Sequence, residues 1–184
     1  NYELLLLDNN RYPGFNHARD MNRIMDACST KYLVLMDDDV VVEPGWLDAL
    51  LSCMDADTGV VTPVHTDKDG DISYCGILFR PDRSGHHGHL FERPGRPTPI
   101  MTMTSAILLV DLDKCGHLRF DETMPKYFMD LDYGLRVWES GYRLMLAPQV
   151  PVCHIGGATL NYGSEGNLQK WEVHRQVFER KWFA

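Results

Sequence analysis

No apolar run in this 184-residue sequence approaches the roughly 20 residues needed for a helix to cross a bilayer, and no signal-peptide pattern opens it. Basic charge is scarce. With 18 Lys and Arg against 26 Asp and Glu, the formal net charge is −8, which excludes a broad nucleic-acid footprint and suits a protein that recruits a divalent cation. The five cysteines (Cys28, Cys53, Cys75, Cys115, Cys153) are odd in number and contain no Cys-x-x-Cys pair, which argues against a zinc knuckle and against a disulfide framework. They read as reduced thiols packed in a core, as expected in a cytoplasmic compartment. No GxxxxGK[ST] loop is present, which removes P-loop phosphate chemistry. Repeats and linkers are also missing, so residues 1–184 are expected to form one domain.

What is present alternates between strand and helix patterns. Residues 4–7, four leucines, read as a strand, and residues 9–14 as a turn rich in Asn with Pro13-Gly14. Ala18, Met21, Met25 and Cys28 form a helical stripe within residues 16–29. The run Tyr32-Leu33-Val34-Leu35-Met36 is apolar on both faces, as expected of a central strand in a parallel sheet covered by helices. A helix is predicted over 44–54, with Pro44 at its start, and strands over 59–64, 72–79 and 100–112. Residues 80–99, rich in Pro, Gly and His, read as a long functional or mobile loop. A helix over 130–140, a short strand over 143–147 and an amphipathic helix over 167–182 complete the series. The expected fold class is therefore α/β, a mostly parallel open sheet with helices on both faces.

Three features carry chemistry. Asp37-Asp38-Asp39 follows an apolar strand, and in open α/β sheets ligands bind beyond the carboxyl ends of the strands. Adjacent carboxylates repel one another and cost free energy to desolvate unless a cation compensates, and Mg²⁺ or Mn²⁺ takes one or two carboxylates beside substrate phosphates. On residue type alone, a solvated acidic turn fits equally well. In Asp130-Leu131-Asp132-Tyr133-Gly134-Leu135-Arg136, Asp130 stands at a helix start, where the dipole favours its ionised form and where it could act as a general base. Asp132 and Arg136 are one turn apart, and a cap followed by a surface ion pair is the plainer reading of that segment. His154, after an apolar strand and before Gly156-Gly157, is a candidate metal ligand, although lone histidines are more often structural. His86, His87 and His89 lack nearby cysteines or carboxylates other than Glu92, so a loop lining the acceptor side, or a simply solvated one, is preferred to a zinc site.

In this order the segments resemble GT-A fold glycosyltransferases of the family 2 type. Asn10, Gly14-Phe15, Ala18-Arg19 and Asn22 resemble that family's N-x-G-F…A-R-x-x-N region. Leu35-Met36-Asp37-Asp38-Asp39-Val40 with Pro44-Gly45-Trp46-Leu47 is similar to its DxD strand and following helix. Cys115-Gly116, Phe120-Asp121-Glu122, Phe128 to Asp132, Arg136 and Gly141-Tyr142-Arg143 resemble its G-x-F-D-E…E-D-x-D…R…G-Y-R segment, and residues 154–159 its closing H-x-G-G-x-S/T. The resemblance implies Asp39, with Asp37 and His154, around Mn²⁺ or Mg²⁺, and Asp37 and Asp38 toward a nucleotide-sugar donor. It implies Asp130 as the base of an inverting displacement by a glycan, lipid-linked or other hydroxyl acceptor. Thr104 and Ser105 would line the donor sugar and acceptor, with Asp132 and Arg136 also at the substrate. Met129 departs from the pattern, which commonly has Glu there. The first one or two strands of the family, which build the nucleobase pocket, are not found, so a fragment of a longer domain is expected.

Two other functions fit the same residues. A non-catalytic glycosyltransferase-like domain would bind a partner or glycan without turning over a nucleotide sugar. A nucleotidyl or phosphoryl transferase would use the Asp cluster for two-metal chemistry. Trp171, Phe178 and Trp182 on the last helix are expected to pack on the core or on a second copy.

Overall fold

A computed structural model describes residues 2–8, 14–79, 87–89, 92–156 and 165–183. Helix α1 (His17–Ala27) starts where the Asn16 side chain accepts the Arg19 N–H, and it buries Ala18, Met21 and Met25 at helical spacing. Strand β1 (Tyr32–Met36) matches its predicted span. After it come β2 (Val40–Val41), α2 (Trp46–Leu51), β3 (Thr58–Thr66), β4 (Ile72–Tyr74), β5 (Ile77–Phe79), β6 (His87–His89) and β7 (Thr98–Pro99). Strand β8 (Ile107–Asp111), α3 (Leu112–Cys115), α4 (Met129–Glu139), β9 (Arg143–His154) and α5 (Glu165–Trp182) complete the chain.

The main sheet runs β1-β8-β3-β9-β2, with β4 on β3 and β7 on β9, while β5 and β6 pair separately. Side chains alternate across it. Val60, Val64, Leu108, Val110, Leu144 and Leu146 face a core completed by α1, α4 and α5, whereas Val61, Leu109 and Ala147 meet Leu50 and Trp46 of α2 on the opposite face. Helices therefore cover both faces, as expected.

Several local expectations are corrected. Among the described strands only β3 and β9 pair in parallel; every other pairing is antiparallel. Strand β1 is an edge, not a centre. Both differences have one cause: an apolar run reports burial on two faces, which helices supply here to antiparallel and edge strands alike. Residues 4–7 form no strand, and Leu4 and Leu6 are 77% and 87% exposed. Pro44 lies outside α2, because Gly45, with φ 87°, makes the turn that precedes the helix. The 72–79 pattern breaks at Gly76, with φ 106°. The 100–112 run is a strand only from Ile107, and the stretch before it crosses toward α4. Strand β9 extends well past residue 147, carrying the chain to His154. All five cysteines are free, three buried and two half-buried.

Candidate active site

The end of β1 turns sharply. The Asp37 N–H still donates to the Ala106 carbonyl at 2.9 Å, extending the β1–β8 ladder by one bond. The chain then bends through Asp38 into β2, and the Ile155 N–H donates to the Asp39 carbonyl at 3.0 Å. Because β2 pairs with the end of β9, with Val40 opposite His154, the histidine is delivered beside the acidic turn. His154 Nε2 lies 3.3 Å from Asp39 Oδ1. One ligand atom from each of Asp37, Asp39 and His154 falls within 4.8 Å of the others. Asp38 is exposed and is not part of this trio.

Burial pushes the Asp37 carboxyl up to about 7, helped by the charges of Asp39, Asp38 and Asp130. Two carboxylates and an imidazole facing one another, with Asp38 and Asp130 within electrostatic reach, form a negative site. Hard oxygen donors with one imidazole suit Mn²⁺ or Mg²⁺ in charge and donor type, so the residues present fit a divalent cation.

Asp130 stands in the first turn of α4. Its carboxylate accepts the Leu131 N–H at 2.9 Å and the Ser105 N–H at 3.3 Å. Burial outweighs these bonds and pushes its carboxyl up to about 6, whereas position at a helix start alone favoured the ionised form. Thr102 fixes the helix to the crossing segment by donating to the Leu131 carbonyl at 3.0 Å. Gly134 permits that approach, since a Cβ there would stand 2.4 Å from Thr102 Oγ1. The hydroxyl of Thr104 is buried beside these residues without a hydrogen-bond partner. Ahead of α4, Phe128 holds φ 66°, a left-handed conformation that costs a non-glycine residue on the order of 1 kcal/mol or more.

One residue at the site escaped the sequence reading. His17 Nε2 lies 3.2 Å from Ser105 Oγ and 3.6 Å from Asp37 Oδ1, and burial lowers its pKa. Its only local signal was the adjacent cap residue Asn16; the partners come from β1 and from the segment before β8. Three tertiary hydrogen bonds hold it there. The His17 N–H donates to the Pro125 carbonyl, and Asn22 exchanges hydrogen bonds with the backbone of Phe120.

Asp132 and Arg136 are engaged with each other and with α5. Asp132 is fully buried. Arg136 Nε meets its Oδ2 at 2.8 Å, while Lys181 Nζ at 2.7 Å and the Trp182 indole N–H at 2.9 Å meet its Oδ1. Both oxygens are thereby engaged in fastening α5 to α4. The aromatic residues of α5 are drawn the same way: Trp171 and Phe178 pack on Phe128, though Trp171 keeps 40% of its surface exposed. His86 and residues 157–159 lie outside the described residues, as does Asn10; of His87 and His89, strand β6 is what is described.

The sequence model of the family described as glycosyl transferase family 2 matches residues 8–116. Among curated proteins, an O-antigen biosynthesis protein RfbC of Myxococcus xanthus is 27% identical over 155 residues, covering 76% of this chain and 12% of that protein. A Thioalkalivibrio sulfidiphilus protein named 4-hydroxythreonine-4-phosphate dehydrogenase is 30% identical over 151 residues, covering 72% of this chain and 42% of its own. A crystal structure of GalNAc-T7 with UDP, GalNAc and Mn²⁺ superposes with a TM-score of 0.62 at 15% identity, covering 89% of this chain and 36% of that one. This chain thus spans less than half the length of each of the three. The structural likeness shows the fold alone. Among the described residues, no helix is long and apolar enough to cross a membrane.

Proposed function

Because the chain belongs to glycosyl transferase family 2 and has the GT-A fold, we propose that it moves a sugar from a nucleotide-sugar donor to a hydroxyl acceptor with inversion at the anomeric carbon. The observation that carries this reading is the meeting of Asp37, Asp39 and His154 at the strand ends, within electrostatic reach of Asp130. Asp39, Asp37 and His154 would hold Mn²⁺ or Mg²⁺. When bound, the cation supplies charge neutralisation for the diphosphate leaving group.

The protein's own groups account for the rest. Asp130 Oδ1 accepts the Leu131 N–H and Oδ2 the Ser105 N–H, so the carboxylate is held in one orientation while each oxygen keeps a lone pair for a proton. With its pKa raised toward the working range, it takes the acceptor's hydroxyl proton as the oxygen attacks the anomeric carbon. The new bond to that carbon forms as the bond to the diphosphate oxygen breaks on the opposite side. Asp130 then loses the proton to solvent. Ser105 and His17 bridge the base and the acidic cluster, and Thr104, next to Ser105 in the chain, would line the donor sugar and acceptor with them. Asp38, exposed at the turn, is offered to the donor nucleotide. The cytoplasmic setting read from the unpaired cysteines belongs to the same proposal.

The test incubates the chain with a panel of nucleotide sugars and Mn²⁺ and measures the products. Nucleoside diphosphate release that disappears in Asp39→Ala and in Asp130→Ala supports transfer. Pyrophosphate release would instead indicate nucleotidyl transfer, and a wild-type chain as inactive as both variants would favour a binding domain.

A further inference from the structure

Beyond the acidic cluster, a row of rings and cations leads outward from His17. Phe15 is 60% exposed, and its ring stacks on His17 at 6.2 Å between centroids. The half-buried Lys126 holds its ammonium 5.8 Å from the centre of the Phe15 ring and 5.3 Å from that of Tyr127. Tyr127 in turn meets His174 on α5, ring to ring at 5.7 Å and through its N–H to Nδ1 at 3.2 Å. Lys170 lies one helical turn before His174 and lines a shallow cleft with it.

These two lysines differ from the others. Lys31, Lys68, Lys114 and Lys181 each have a carboxylate within ion-pair distance. Among the described residues Lys126 and Lys170 have none, in a chain whose carboxylates outnumber its cations. Burial and the charge of Lys170, itself exposed on α5, both lower the pKa of Lys126. Two uncompensated like charges within electrostatic reach of one another cost free energy, and an anion between them would offset it.

We propose that Lys126 and Lys170, with the Phe15 and Tyr127 rings between them and the active site, bind a negatively charged group carried by the sugar acceptor, a phosphate or a carboxylate. The inference rests on reading the acidic cluster as the site of sugar transfer. His17 supplies the continuity, because it touches Phe15 on one side and Ser105 and Asp37 on the other. The aromatic faces suit the apolar face of the acceptor's body, and the ammonium groups select its charge.

Isothermal titration of the whole chain in EDTA tests this without donor or cation, so its outcome is independent of whether diphosphate release is ever seen. The probes are phenyl phosphate, glucuronic acid and the uncharged methyl glucoside. Expected is saturable binding of at least one anionic probe and none of the neutral one. Binding should weaken about tenfold, close to 1.4 kcal/mol, in K126A and in K170A and persist in the charge-preserving K126R. Saturation by the phosphate alone, or by the carboxylate alone, names the group. Equal binding to wild type and both alanine variants, or no saturable binding of either anion, overturns the proposal.

Discussion

At Asp37, folding works against ionisation. The folded carboxyl titrates near 7, held up first by burial and then by Asp39, Asp38 and Asp130, against an ordinary value of 3.8. Between those values the folded chain holds a proton that the unfolded chain has lost, so this group's contribution to stability falls as pH rises toward 7 and is least favourable above it. Asp37→Asn is therefore expected to raise the cation-free melting temperature at pH 8 by a few degrees, with the gain vanishing near pH 4; scanning calorimetry of both proteins across that range checks it. In the wild type, Mn²⁺ affinity should drop below about pH 7 as protons compete for the same oxygens. Asp130→Asn should retain Mn²⁺ binding, read by paramagnetic resonance, while losing turnover by about 10²-fold or more. Much at this scale was legible in the sequence: Asp37, Asp39 and His154 come together, with Asp130 within electrostatic reach, because an acidic turn after a strand and a histidine before glycines are local signals. His17 was not legible, since its partners Asp37 and Ser105 lie on elements that only folding brings to α1.

Helix α4 is held from two sides, and each hold can be broken separately. On the inner side, Gly134 lets the helix approach Thr102, so Gly134→Ala should force the two apart, lowering stability by about 1–3 kcal/mol in urea unfolding and slowing turnover through displacement of Asp130. On the outer side, Asp132 gathers Arg136, Lys181 and Trp182. Asp132→Ala leaves the half-buried guanidinium of Arg136 and the Lys181 ammonium without their counter-charge and is expected to cost about 3 kcal/mol by the same measurement. Spacing alone revealed that Asp132 and Arg136 would meet, and the pair does form. That it is buried was not legible, because the burial is produced by the end of α5, some fifty residues later in the chain. Residues 100–106 were misread for a related reason. Their apolar character comes from lying under α4, and they are not hydrogen-bonded to a neighbouring strand over their whole length.

Across the whole molecule, the layering was legible and the strand directions were not. Alternating apolar patterns place helices on both faces of a sheet, yet they are blind to which way a neighbour runs, and so β1 could pass for a central parallel strand while being an antiparallel edge. At this scale the acidic turn and β9 matter together. Asp39 follows the first strand of the sheet and His154 ends the last, and β2–β9 pairing is what closes the distance between them. A cation held by both would act as a removable cross-link between remote parts of the chain. The loop it closes is long, so its closure belongs to the late stages of folding, after the sheet has formed. Mn²⁺ should accordingly slow unfolding measured by stopped flow and leave the refolding rate nearly unchanged. Departure of the ion would then govern how long the folded chain survives under denaturing stress, a lifetime set by the occupancy of the Asp37–Asp39–His154 cluster.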